Sequence, residues 1–425
     1  MKNGSRENKT AHKGGSLMMN SMIRNFPLWL MKAARVVGFS FIMLASGGCA
    51  AMMDSLVNGT IQEPPYEVDE KAEQFHRTLF IADLHADTML WDRDLLVRGT
   101  RGHVDLLRLR EGNVGLQVFG VVTKVPLFLG MENNSDSPDA ITALVWFQDL
   151  PKEDRATLIG RALYQSKKLK DRIEKSAGAM RLILDQQDLR KLVAARGRGE
   201  PVIGAMLSLE GVHALEGDLA NLDRLYDAGF RLIGLNHLFD NEFAGSVHGK
   251  EMGGLSELGK ELVKRSLAKG MIIDIAHTSL QAFAETMAIV DRPVISSHGG
   301  VRATCDSVRN LTDDQIRSIA ATGGVIAIGL FKYATCGKTI EHTVRAMRHV
   351  ADLVGIQHVA LGSDWDGSTA VIDASGLALV TEGLLKGGFS RDDIAAIMGG
   401  NVLRVFQAVL PENEGQEKIG VSKKL

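Results

Sequence analysis

Asp83-Leu84-His85-Ala86-Asp87 closes an apolar run that begins at Leu79. In a strand, side chains at i and i+2 point to the same face, so His85 and Asp87 can grip one cation between them. Three further strand-like runs end in the same manner: Leu207-Ser208-Leu209-Glu210, Ile273-Asp274-Ile275-Ala276-His277 and Val294-Ile295-Ser296-Ser297-His298. A fifth, Val359-Ala360-Leu361-Gly362-Ser363-Asp364, ends on another acid. Ligand-type side chains at successive strand ends point to metal-assisted hydrolysis on a frame of parallel strands.

Outward from this stretch the chain alternates strand and helix. Strands are expected at 79–85, 115–122, 202–209, 230–236, 271–276, 293–297, 324–331 and 358–363. Their near-continuous apolar content fits strands buried on both faces. Helical patterns lie at 219–228, 256–269, 279–290, 312–322 and 341–355, and Gly229, Gly270 and Gly355 stop three of them. Eight strands with intervening helices indicate an α/β fold of the (β/α)8 TIM-barrel type. A doubly wound open sheet is the runner-up, without a Gly-rich phosphate loop after its first strand. The span 123–200 exceeds a normal crossover and reads as an insertion after strand 2. Within it, Pro126 to Pro151 reads as loop, 153–176 as a charged helix with a solvated face, and Met180 to Leu184 as a short extra strand.

The 425 residues are 45% hydrophobic and 24% charged, an ordinary globular balance. A net charge of −2 and 5% aromatics, with no basic patch, argue against nucleic acid as a partner. The start is different in kind. Lys32 and Arg35 precede the apolar run 36–44, small residues follow at 45–48, and then comes Cys49. Positive start, short apolar centre and small-residue end describe an export signal. The run is shorter than the ~20 apolar residues of a spanning helix. Cys49 after Gly47-Gly48 resembles the acylation site of a bacterial lipoprotein; cleavage nearby and retention as an anchor stay open. The expected organisation is an export or anchor segment at 1–55, a polar linker at 56–72, the barrel at 73–411 and a polar tail at 412–425. Export to the bacterial envelope or periplasm follows, with membrane attachment through the N-terminus. Of three cysteines, Cys305 and Cys336 remain; in an oxidising compartment, a disulfide and two separate buried thiols are both compatible with the sequence.

Barrels of this kind carry their active sites at the C-terminal strand ends, where His85, Asp87, Glu210, His277 and His298 are expected. A lone buried histidine is more often a satisfied core residue than a ligand. Five such groups at strand ends change that balance, because an ionised acid there costs several kcal/mol unless it is compensated. Imidazole and carboxylate together suit zinc. One catalytic zinc needs three protein ligands plus water, so two ions sharing Glu210 use the set better; such a pair lies about 3.5–4 Å apart and can hold a bridging hydroxide. Asp364 is expected to move a proton, whereas Asp366, before Gly367, reads as a turn carboxylate. His12, His76, His103, His213, His248, His342, His349 and His358 read mostly as surface residues.

The pattern resembles the membrane dipeptidase (renal dipeptidase) family, zinc peptidases of the amidohydrolase-like group. The shared features are the Asp83-x-His85-x-Asp87 start, Glu210-Gly211, His237 in Gly234-Leu235-Asn236-His237, Ala276-His277, Ser297-His298, Val308-Arg309-Asn310 and Gly362-Ser363-Asp364-x-Asp366-Gly367. They run over about residues 78–407. The resemblance implies two zinc ions, one held by His85, Asp87 and Glu210 and the other by Glu210, His277 and His298. His237 would polarise the substrate carbonyl and Arg309 would bind the substrate carboxylate. Asp364 would shuttle the proton, and Tyr333 would lie near the substrate. It also favours pairing Cys305 with Cys336, and makes a homodimer a common state among relatives. One departure is Gly299-Gly300, where related bacterial sequences often carry Ser-Asn. The implied activity is hydrolysis of free dipeptides with an L- or D-residue in second position. The alternatives are hydrolysis of another amide or lactone, or a catalytically silent envelope lipoprotein.

Overall fold

The computed structural model describes residues 48–412. Nine strands form one parallel sheet: β1 Ile81–Ala86, β2 Val114–Val121, β3 Met180–Leu182, β4 Ile203–Glu210, β5 Phe230–Gly234, β6 Ile272–Asp274, β7 Ile295–Ser296, β8 Val325–Ile328 and β9 Val359–Leu361. Their order closes on itself, because β2 pairs with β1 on one edge and with β4 on the other. The result is an eight-stranded (β/α)8 barrel, with β3 as an extra strand alongside the start of β4.

Register lines up the strand ends. Gly234 pairs with Asp274, and Asp274 with Ile295. Three residues beyond each of these stand His237, His277 and His298. Leu361 pairs with Asp83; three residues past Leu361 is Asp364, and two past Asp83 is His85. Glu210 is itself the last residue of β4, opposite Gly234. Groups far apart in sequence therefore emerge at one rim.

All eight barrel strands contribute to one apolar cluster that fills the interior, including Leu84, Val118, Met206, Leu232, Ile272, Ile295, Val325 and Ala360. Phe406 and Val402 of the helix Asn401–Val409 join it. A second, larger cluster packs the outer faces of the strands against the surrounding helices. Gly229, Gly270 and Gly355 follow helices with φ of 100°, 67° and 101°, the left-handed conformation that ends a helix at little cost for glycine.

The insertion departs from expectation. Residues Ala140–Phe147, read as loop, form a helix whose N-terminus is capped by Asp139, which accepts from the N–H groups of Ile141 and Thr142. Its β-branched and aromatic content has weak helix propensity, and the cap was the usable signal. The charged stretch divides into helices Lys152–Arg155 and Leu158–Lys175. Its face is not wholly solvated, since the Lys168 ammonium donates to the carbonyl oxygen of Trp91. Helices Glu70–His76 and Ala378–Lys386 also had no counterpart in the sequence reading. Among the described residues, no helix is long and apolar enough to cross a membrane. The leader-like run up to residue 47, His12 and the tail from 413 lie outside the described residues; Cys49 is exposed and free.

Candidate metal centre and substrate cavity

Glu210 sits at the centre of the rim. One of its carboxylate oxygens, Oε2, lies 3.3 Å from His85 Nε2. The other, Oε1, lies 3.2 Å from His277 Nε2 and 3.4 Å from His298 Nε2. Asp87 Oδ1 approaches His85 Nε2 at 3.2 Å. All five side chains are buried. The structure thus brings every residue expected as a ligand around Glu210; by mutual distance the groups are His85, Glu210 and His298, then Glu210, His237 and His277, then His85, Asp87 and Asp364, which crosses the two sets expected from sequence.

The donor set fits a cation on its own evidence. His85 Nε2, Asp87 Oδ1 and Glu210 Oε2 are buried without a hydrogen-bond partner, a costly arrangement unless something else satisfies them. His277 Nε2 and His298 Nε2 converge to 3.0 Å. Space is reserved as well: a Cβ at Gly120 would fall 2.5 Å from Asp87 Oδ1 and 2.8 Å from His85 Nε2.

The electrostatics divide the three histidines. Burial, then the charge of Arg309, pushes the His277 imidazole well below its ordinary range. Burial, then His85 and Arg309, does the same at His298. A lowered imidazole favours the neutral form, the form a ligand needs. Burial works against the charged form of His85, but Glu210 and Asp87 raise it well above the usual value. At Glu210 burial is outweighed by His237, His85 and the remaining imidazoles, which hold the carboxyl well below its ordinary range.

Two acids that the sequence reading gave no role support the ligands. Asp274 accepts from Ser297 Oγ, and Ser297 Oγ lies 2.8 Å from His298 Nδ1. With that hydroxyl proton directed to Asp274, Oγ can accept from the His298 Nδ1–H, the tautomer that would leave Nε2 free to offer its lone pair to a cation. Asp83 accepts from Gln117 Nε2 at 2.6 Å and from the Ser363 N–H at 2.7 Å, tying β1 to β2 and to the end of β9. Burial pushes its carboxyl up to about 6. An acid inside an otherwise apolar strand was the available signal for both.

The remaining expected residues surround these ligands. His237 Nε2 lies 3.6 Å from Glu210 Oε1. A ligand atom of Asp364 lies within 4.8 Å of those of His85 and Asp87, and burial first of all pushes its carboxyl up to about 8. His277 and Asp364 both have left-handed backbone, with φ of 62° and 63°, strain of a kind that clusters at functional sites. Arg309 is buried and donates to the His298 carbonyl oxygen at 2.7 Å. The Gly299-Gly300 departure has a local reason at its second residue, where a Cβ would fall 1.8 Å from the Ala334 carbonyl oxygen. Cys305 and Cys336 form a disulfide, and Tyr333 nearby is 58% exposed.

A cavity of about 610 Å³ opens over the ligands, lined by Glu210, His237, His277, His298, Arg309, Tyr333 and Asp364 on its polar side. The histidines read as surface residues are mostly interior: His76, His103, His213, His248 and His358 are all buried. His248 reaches the cavity wall, and its Nδ1–H donates to the Met131 carbonyl oxygen at 2.7 Å. Asp366 is not merely a turn residue: it pairs with Arg93 at 2.9 Å, and accepts from Thr88 Oγ1 and the His103 N–H.

Comparison with known proteins follows the same lines. The model of the membrane dipeptidase family (peptidase family M19) matches residues 69–418. A dipeptidase of Aspergillus oryzae, aclJ, is 33% identical over 215 residues, 48% of this chain and 51% of the relative, so the chain spans about half the length of that relative. The fold is similar to that of the probable dipeptidase PvdM from Pseudomonas aeruginosa, with a TM-score of 0.67 and 22% identity over 80% of this chain and 98% of the other. It is also similar to a Rhodobacter sphaeroides metallopeptidase, crystallised with a phosphinate mimic of the dipeptide L-Ala-D-Ala, at a TM-score of 0.65 and 21% identity, covering 78% and 99% of the two chains.

Proposed function

Because the chain belongs to the membrane dipeptidase family, peptidase family M19, we propose that it is an exported binuclear zinc dipeptidase that hydrolyses the amide bond of free dipeptides. The observation that carries this reading is the divided Glu210 carboxylate, with one oxygen toward His85 and the other toward His277 and His298. One ion would be held by His85, Asp87 and Glu210, the other by Glu210, His277 and His298. When bound, such a pair polarises the scissile carbonyl and lowers the pKa of water.

The chain's own residues do the rest. Arg309 offers a buried guanidinium for the carboxylate of the second residue, a pairing its planar fork favours. His237 stands beside Glu210 to donate toward the oxyanion that develops on the scissile carbonyl. Asp364 takes the proton of the attacking water and hands it to the leaving amine. Tyr333 borders the cavity. A D-residue in second position is included in the substrate class, in keeping with the L-Ala-D-Ala mimic held by the Rhodobacter sphaeroides relative. Attachment to the envelope membrane through acylated Cys49 belongs to the same proposal, as does a homodimer.

The test is a pair of substrates. Arg309→Ala is expected to lower kcat/KM for a dipeptide about thirtyfold or more, since a hydrogen bond to a charged group is lost, and to affect the matching dipeptide amide much less. Equal losses on both would remove Arg309 from its assigned role.

A further inference from the structure

Apart from the two barrel clusters, a third apolar cluster stands by itself. Leu90, Trp91, Val122, Ile141 and Leu144 belong to it, with Val125 packed against them, and all six also line the site cavity. They come from the turn after β1, the end of β2 and the helix Ala140–Phe147 of the insertion. None is charged, and the one polar atom among their side chains, Trp91 Nε1, is already committed to the Asp366 carbonyl oxygen at 2.6 Å. This wall therefore offers contact but no hydrogen bond.

Its position relative to Arg309 follows from topology. Around the closed barrel the strands run β1, β2, β4, β5, β6, β7, β8, β9. β2 and β7 are thus opposite one another across the mouth. The apolar wall rises from the β1 and β2 ends, and Arg309 is anchored to His298 just past β7. A substrate whose carboxylate lies at Arg309 and whose amide lies over Glu210 directs its first residue toward the wall.

We propose that this wall receives the side chain of the first substrate residue and selects dipeptides that begin with a large apolar residue. The inference rests on the dipeptidase reading and on the role given there to Arg309. An apolar side chain gains by leaving water against such a surface, whereas a charged one would be desolvated with no partner.

The experiment measures kcat/KM of the full chain, purified and zinc-loaded, on Gly-Ala, Leu-Ala, Phe-Ala, Asp-Ala, Ala-Gly and Ala-Leu. Leu-Ala is expected to exceed Gly-Ala by about tenfold or more, the discrimination a hydrophobic pocket supplies, with Asp-Ala below Gly-Ala. Ile141→Ser should lower the Leu-Ala to Gly-Ala ratio about fivefold or more while leaving the Ala-Leu to Ala-Gly ratio in place. Ala140→Phe, at a half-buried position lining the same cavity, should lower Phe-Ala relative to Gly-Ala. Ratios within one preparation are independent of its folded fraction, and if Ile141→Ser does not fold, Ala140→Phe decides. A smaller wild-type preference, unchanged first-residue ratios in the variants, or a shift confined to the second residue would overturn the inference. Turnover of Gly-Ala in that case leaves the dipeptidase reading standing, whereas no turnover of any dipeptide overturns both.

Discussion

The polar floor of the cavity and its apolar wall are built on different principles. The floor is assembled from strand ends, where His237, His277 and His298 each stand three residues beyond mutually paired ladder positions. Its geometry is a consequence of barrel register, so a shift of one strand would move a ligand by a residue. The wall draws on the insertion after β2, whose helix and loop are free of that register. The difference separates two tasks. The barrel fixes the chemistry, while the insertion sets what reaches it.

Breaking the floor should have the largest effect. Glu210→Ala removes the carboxylate that His85, His277 and His298 all approach. Several kcal/mol of transition-state stabilisation depend on a metal centre, and each 1.36 kcal/mol is tenfold in rate. A fall in kcat/KM of about a thousandfold or more is expected in steady-state assays, far beyond any effect of changing the wall.

A subtler change sharpens the same contrast. Asp274→Asn leaves every proposed ligand in place but removes the carboxylate that accepts from Ser297 and so orients His298. Loss of such outer support typically costs about 10–100-fold in metal affinity. Zinc titration against a competing chelator should report a loss in that range.

The smallest expected effect concerns stability alone. Burial pushes His213 down to about 3, and its Nε2 lies 3.0 Å from Thr123 Oγ1. In the folded chain this imidazole stays neutral below the ordinary histidine range, whereas the unfolded chain takes up a proton there. The unfolded state thus binds more protons between about pH 3 and 6.5, and stability rises with pH across that window. His213→Gln should reduce the slope of urea-unfolding free energy against pH by up to about 1.4 kcal/mol per unit.

The contrast between floor and wall also explains what was legible in the sequence. Buried parallel strands are written as apolar runs, and a histidine or acid at the end of such a run is conspicuous, so the barrel and the expected ligand positions could be read directly. Asp83 and Asp274 were in view but had no meaning until their partners Ser363 and Ser297 were seen beside them. His213 sits in the short 3-10 helix Val212–Leu215 and His248 in a loop, both too short for periodicity, so nothing local marked them as buried. The helix Ala140–Phe147 was hidden by its β-branched and aromatic residues, which have weak helix propensity and of which Ile141 serves the wall. The wall itself depends on contacts among three segments distant in the chain, which no single stretch reveals.

The most direct measurement is the zinc content of the purified, zinc-saturated chain after removal of loosely held metal, determined by elemental mass spectrometry for the wild type and for Glu210→Ala. Two ions per wild-type chain and loss of both in the variant are expected. A wild-type chain that retains fewer than two, or two ions that survive removal of Glu210, would contradict a binuclear centre that shares Glu210.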